Sequence, residues 1–139
     1  MTFQKTFELQ THGRGMLDIT QTISDIVRES GVGTGVAHVF ARHTSCSLLI
    51  TENADPDVRR DLETLAQRWA PDADPAYRHD MEGDDDMAAH ARSVLTNVST
   101  CVPVCGGALL LGTWQAIYLW EHRTRGHRRD VVVTVIGDR

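Results

Sequence analysis

The sequence predicts an α+β domain: a mostly antiparallel sheet of about seven strands in two packed layers, with two or three helices. Three observations lead there. The first ten residues alternate polar and apolar side chains, as a half-buried strand does. Apolar residues recur at helical spacing twice before residue 70. After Ser99 the chain reads as strands alone, and the missing βαβ alternation argues against a doubly wound parallel fold.

Taken in order, Phe3, Lys5, Phe7 and Leu9 share one face of the first strand, and Gly13-Arg14-Gly15 breaks its pattern. From Asp18 to Ser30 the period changes. Ile19, Ile23, Ile26 and Val27 form one apolar face, Asp18 and Gln21 suit a capping box, and Gly31 stands where a helix stops. Gly35–Arg42 and Ser47–Thr51 read as buried strands joined by the polar stretch Arg42-His43-Thr44-Ser45-Cys46. Asp55-Pro56 starts a second helix, with Val58, Leu62, Leu65 and Trp69 on one face and Pro71 beyond its end. Asp72–Asp86 reads as a surface loop. Asp86 then caps a short helix from Met87 to about Leu95, with Met87, Ala91, Val94 and Leu95 inward. Strands follow at Ser99–Val104, Ala108–Leu111, Thr113–Glu121 and Asp130–Ile136. Gly106-Gly107 is a tight-turn signal, and Glu121–Asp130 reads as a basic hairpin connection.

At 139 residues the chain makes one domain, 1–139, and its 41% hydrophobic share is enough for a core. Fourteen Lys and Arg against nineteen Asp and Glu leave a net charge of −5, which argues against nucleic acid or an anionic membrane as partner. No apolar run approaches the ~20 residues of a spanning helix, and the alternation of Met1–Gln10 is not that of a signal peptide. Three cysteines, few and odd in number, lead us to expect a reduced, cytoplasmic setting.

Seven histidines are the compositional oddity. His43, His79 and His90 lie in polar stretches beside predicted elements, and three imidazoles would leave a divalent ion an open coordination position. No short ligand spacing such as HExxH supports them, and each alone is also what a polar surface position looks like. The acidic run between His79 and His90 has three readings: a solvated loop, a Mg²⁺ site, or a shell of groups orienting the histidines. Arg123 and Arg125 read as a charged hairpin tip that keeps a sheet edge soluble, and Arg129, at a strand start, as the better anion ligand. Cys46 near His43 suggests a nucleophilic pair, though a buried strand cysteine is the plainer reading. Cys101 and Cys105 stand too far apart along one strand for a disulfide. Glu121 closes its strand as an orienting group or base, and Asn53 suits a turn or a site amide.

Several segments together resemble one family. They are His43-Thr44-Ser45-Cys46, Ile50-Thr51-Glu52-Asn53-Ala54-Asp55-Pro56-Asp57-Val58, Gly83-Asp84-Asp85-Asp86-Met87-Ala88-Ala89-His90, and Leu111-Gly112-Thr113-Trp114-Gln115-Ala116-Ile117-Tyr118. Their order and spacing resemble the YjbQ-like family, often labelled secondary thiamine-phosphate synthase. The resemblance implies a seven-stranded β-sandwich with helices alongside, assembled as a homotrimer. It implies a divalent metal ion, Zn²⁺ or Mg²⁺, held by His43, His79 and His90. Glu121, Asp86 and Arg129 would then take catalytic roles, and Asn53, Asp85 and Gln115 would hold a small phosphorylated substrate. The implied reaction joins a pyrimidine diphosphate to a thiazole phosphate, releasing pyrophosphate. The alternative is a protein that holds a metal or small anion without chemistry. The chain departs from the family where His122 replaces the usual aromatic after Glu121, which makes His122 a further candidate ligand. Self-association is also expected from an exposed tryptophan set, Trp69, Trp114 and Trp120.

Overall fold

The computed structural model describes residues 1–139. Eight strands and three helices follow in the order β1 (Thr2–Gln10), β2 (Gly15–Asp18), α1 (Thr20–Ser30), β3 (Thr34–Ala41), β4 (Cys46–Glu52), α2 (Pro56–Trp69), α3 (Asp86–Leu95), β5 (Ser99–Cys105), β6 (Ala108–Leu109), β7 (Gln115–Glu121) and β8 (Arg128–Asp138). The α+β class and the antiparallel pairing are as expected. The extra strand is β2, whose four residues are too few to display a period. The strands form two sheets, β1-β8-β3-β5-β6 and β2-β7-β4. Between them lies a core of Val and Ala from β3 and β8, Leu48 from β4, Ile117 and Leu119 from β7, and the α1 face of Ile19, Ile23, Ile26 and Val27.

Because β7 and β8 belong to different sheets, residues 122–127 cross between layers and are not the expected hairpin. The Gly106-Gly107 turn is as anticipated: φ values of 60° and 75° suit the left-handed turn that joins β5 to β6. The α1 cap differs from expectation. Ile19 occupies the cap position because its side chain belongs to the core, and Asp18 accepts from the Thr20 N–H instead. Asp55 caps α2 as expected, accepting from the Asp57 N–H, with Pro56 in the first turn.

The short helix α3 is turned from its expected orientation. Val94 and Leu95 are exposed, while Asp86, Ala88, Ala89, Arg92 and Ser93 are buried. Polar pairing chooses the face: Arg92 Nη1 donates to Glu63 Oε2 on α2 at 2.7 Å, and Arg123 reaches Asp86. An ion pair broken at a buried site costs about 3–5 kcal/mol, comparable to what an exposed valine and leucine together forfeit in burial, and α3 carries two such pairs. Trp120 is also buried, its indole N–H donating to Glu63, so only Trp69 and Trp114 of the expected set face water.

The outer face of the larger sheet is unusual for a surface. Three successive rows run Thr2–Ile136–Val36–Pro103, Gln4–Thr134–His38–Cys101 and Thr6–Val132–Phe40–Ser99 across β1, β8, β3 and β5. No Asp, Glu, Lys or Arg interrupts them, and Val36, Phe40 and Ile136 are exposed. No helix of the chain is long and apolar enough to cross a membrane.

Gly35 and Gly137 face each other across β3 and β8 where the strands close up. A Cβ at Gly35 would sit 2.0 Å from the Ile136 carbonyl oxygen. Gly35→Ala is therefore expected to destabilise the fold by about 3 kcal/mol in urea unfolding. A loss below about 1 kcal/mol would contradict this close approach.

Candidate metal centre

The site grows from the first turn of α3. Asp86 and His90 stand four residues apart on one helix face, so their side chains meet. The preceding loop brings His79 to the same point. His79 Nε2 lies 2.7 Å and His90 Nε2 3.1 Å from Asp86 Oδ2, and the three ligand atoms lie within 4.8 Å of one another. The two imidazoles stand edge to face, 5.3 Å apart.

The hydrogen bonds around this group assign its tautomers. His90 Nδ1 donates to the Thr44 carbonyl oxygen, 3.1 Å away, which leaves its Nε2 with a lone pair. That lone pair faces Asp86 Oδ2, also an acceptor. His79 can donate one proton to the shared oxygen, but the His90–Asp86 contact is favourable only with a cation or a second proton between them. Burial works to raise the Asp86 pKa, and the His79 hydrogen bond with the Arg123 charge outweighs it, so Asp86 is held below the ordinary carboxylate value.

Arg123 closes the far side. Its Nη1 lies 2.9 Å from Asp86 Oδ1, and its Nε donates to Asp85 Oδ2 at 2.9 Å. Asp85 also accepts from the Thr124 backbone N–H at 2.8 Å. Asp85 is thus a bracket tying residues 123–124 to the start of α3. Burial opposes its ionisation, but Arg123 and the Thr124 N–H hold its pKa well below the usual range. A cavity of about 170 Å³ opens beside His79, walled by Asp74, Tyr77, Asp80 and Asp84.

A second polar cluster adjoins the first through Arg123, whose backbone N–H donates to Glu121 Oε2 at 3.1 Å. Glu121 is fully buried and accepts from Thr11 Oγ1 at 2.5 Å and from Arg129 Nε at 2.8 Å, with Arg129 Nη2 on its other oxygen. Burial alone would raise its pKa; the Arg129 and Thr11 bonds lower it. Arg129 Nη2 also donates to Ser45 Oγ at 3.0 Å. His43 belongs here, away from the other two histidines: the Asp130 backbone N–H donates to its Nε2 at 2.7 Å. Arg129 Nη1 stands 3.5 Å from its Nδ1, and burial followed by the Arg129 charge lowers its pKa and keeps it neutral.

The nine residues singled out in the sequence thus fall into three places. His79, Asp86 and His90 converge, with Asp85 beside them. His43, Glu121 and Arg129 form the adjoining buried cluster. Asn53 and Gln115 lie at the opposite end of β7, about 20 Å from Glu121 along the strand. There Asn53 donates to the Thr113 carbonyl and Gln115 accepts from the Gly112 N–H, so both shape the turn into β7. Glu121 is unsuited to the expected work of a base, since its oxygens are filled and no solvent reaches it. His122 is no ligand: fully buried, it meets Ser47 Oγ at 2.8 Å and lies outside the cluster. Cys46 is a core residue whose thiol burial pushes up to about 11, too high for a nucleophile. Arg123 is not the expected solubilising hairpin tip but a largely buried partner of Asp85 and Asp86, and the Thr44 carbonyl is a contact the sequence reading does not include. No pattern distinguishes Arg123 among the neighbouring arginines, and a backbone oxygen has no sequence signature.

Residues 5–138 match the family model described as UPF0047 protein YjbQ-like. The chain belongs to the YjbQ-like UPF0047 family. A family protein from Synechocystis sp. is 47% identical over 97% of this chain and 92% of its own length. The YjbQ protein of Salmonella typhimurium is 44% identical over 99% of this chain and 100% of its own. Among solved structures, an uncharacterized YjbQ/UPF0047 protein from Clostridium acetobutylicum superposes with a TM-score of 0.87 at 37% identity, covering 95% of this chain and 99% of that one. A YjbQ-like UPF0047 chain thus has its fold in common with that structure.

His122 gives the site region a pH signature. Burial, then the charges of Arg92, Arg14 and Arg129, lower its pKa from 6.5 to about 3. Below pH 6.5 the unfolded chain takes up a proton that the folded chain refuses until about pH 3. Stability therefore falls with pH through that window, at about 1.4 kcal/mol per pH unit. In urea unfolding, wild type is expected to lose roughly 2–3 kcal/mol more than His122→Phe between pH 6.5 and 4.5. Parallel losses would show that His122 is not held neutral.

Proposed function

We propose that this protein binds a divalent transition-metal ion through His79, Asp86 and His90 and acts on a small phosphorylated molecule beside it. The observation that carries the reading is the lone pair of His90 Nε2 set 3.1 Å from the Asp86 oxygen, a contact that a cation bound between them would satisfy as a proton would. The Thr44 carbonyl on His90 Nδ1 is the outer support that a metal-bound imidazole ordinarily has. Two imidazole nitrogens and one carboxylate oxygen suit Zn²⁺ or a neighbouring transition metal. They suit Mg²⁺ poorly, because that ion takes oxygen ligands.

Held there, such an ion supplies a Lewis acid that stabilises charge on a departing phosphate. The protein's own groups explain why an anion would need it. Asp74, Asp80 and Asp84 on the cavity wall repel phosphate, and Arg123 is already committed to Asp85 and Asp86. At about 170 Å³ the cavity admits a phosphate-sized group and not a pair of ring substrates within one chain. The reaction that the family resemblance suggests is of thiamine-phosphate synthase type: a pyrimidine diphosphate and a thiazole phosphate joined, with release of pyrophosphate. The second reading, a protein that holds metal or a small anion without chemistry, is favoured by the saturation of Glu121, which removes the anticipated base.

Self-association as a homotrimer belongs to the same proposal. Its support is the uncharged outer face of the larger sheet, together with Trp69 and Leu95, which line an apolar hollow, and exposed Leu110 and Trp114. Interface cores are depleted of charge in this way. Light scattering on the purified protein is expected to give about three times 15.5 kDa, with Phe40→Glu shifting the mass downward; a monomeric wild type would end this part of the proposal.

For the metal, chelator-treated protein titrated with Zn²⁺ is expected to bind one ion per chain. His90→Ala and Asp86→Asn should each weaken binding by on the order of 100-fold or more. Binding unchanged in both variants would refute the site. Repeated turnover to thiamine phosphate by the loaded protein would support the transferase reading, and retention of metal without product would support the holder.

A further inference from the structure

Arg123 joins the two clusters, one through its backbone and the other through its side chain. Its residue hangs from Glu121 by the backbone N–H, and its guanidinium spans Asp85 and Asp86 at the start of α3. An arginine beside a metal centre ordinarily serves as a phosphate clamp. Here the guanidinium is engaged within the chain: Nε donates to Asp85 and Nη2 to the Glu82 carbonyl at 3.0 Å, while Nη1 forms an ion pair with Asp86 Oδ1 at 2.9 Å. The side chain is largely buried, with 17% of its surface exposed.

We propose that Arg123 is the positioning residue of the metal site, holding Asp86 by Oδ1 so that Oδ2 points between His79 and His90. The inference rests on the metal reading above and adds a component to it. A carboxylate ligand rotates freely about its terminal bond unless the other oxygen is fixed. The guanidinium fixes it: Asp85 locks the fork from the side by hydrogen bonds, and Nη1 is thereby held 2.9 Å from Asp86 Oδ1 as its ion-pair partner. Two effects of the arginine oppose each other. Its charge repels an incoming cation, and its grip orders the ligand. Asp85 offsets the charge locally, so orientation is the larger effect, and removing the fork weakens the site.

The test uses Zn²⁺ titrations and the visible spectrum of the Co²⁺-loaded protein. Arg123→Gln is expected to lower Zn²⁺ affinity by about 10–100-fold and to alter the Co²⁺ spectrum. Arg123→Lys, which keeps the charge without the fork, should not restore either. Asp85→Asn leaves Arg123 in place but unlocked, and it should lower affinity in the same direction; its effect should be far from additive with Arg123→Gln. Asp85→Asn also serves if Arg123→Gln fails to fold. Equal or tighter Zn²⁺ binding by Arg123→Gln, or full rescue by lysine, overturns the positioning role while the metal reading stands. A wild type that takes up neither ion overturns both.

Discussion

The structure depends on the burial of one carboxylate. Glu121 ends β7 in the smaller sheet, yet its partners come from elsewhere: Thr11 beyond β1 and Arg129 in β8 of the larger sheet. A buried carboxylate without partners would cost several kcal/mol. The two layers are therefore registered to each other by the need to satisfy it. Arg129 extends the requirement to Ser45, in the loop that precedes β4. The segment 122–127 is suspended from this pin. Its first residues bring Arg123 and Thr124 against Asp85, and so fix where α3 begins.

From that anchor the chemistry of α3 follows. A helix whose first turn must meet Arg123 and whose second must meet Glu63 has no freedom to turn Val94 and Leu95 inward. The same constraint places His90, one turn beyond Asp86, opposite the Thr44 carbonyl and beside His79. Hydrogen bonding thus sets the helix face, the helix face sets where His90 and Asp86 meet, and that meeting creates an acceptor pair that only a cation or proton can reconcile. The apolar side chains displaced by this arrangement remain on the surface, next to the unpaired stripe of Leu65 and Trp69 on α2.

Much of this was legible in the sequence. Periodicity placed the first strand, α1 and α2 within a few residues; the apolar faces of the strand and α1 meet the core, while Leu65 and Trp69 on the face of α2 stay exposed. Gly31 and the Asp55-Pro56 pair marked helix ends through chemistry that acts locally. Legibility ended where a partner distant in sequence decides the outcome. The face of α3 depends on Glu63 and Arg123, and β2 exists only because β7 offers it an edge. In the site, His79, Asp86 and His90 were all named, with Asp86 set apart from the ligands it joins. His43 was grouped with them on composition, but the Asp130 N–H claims its nitrogen. Asn53 and Gln115 sit near recognisable motifs, yet strand length carries them to the other end of the sheet.

Two imidazoles and a carboxylate are the proposed grip on one ion, and the exposed thiols of Cys101 and Cys105 are the rival zinc ligands on this chain. X-ray absorption at the zinc edge, on protein loaded with one equivalent, separates the two directly. We expect nitrogen and oxygen neighbours at about 2.0–2.2 Å with imidazole scattering from two rings. Sulfur neighbours at about 2.3 Å, or a shell of oxygens without imidazole, would contradict it.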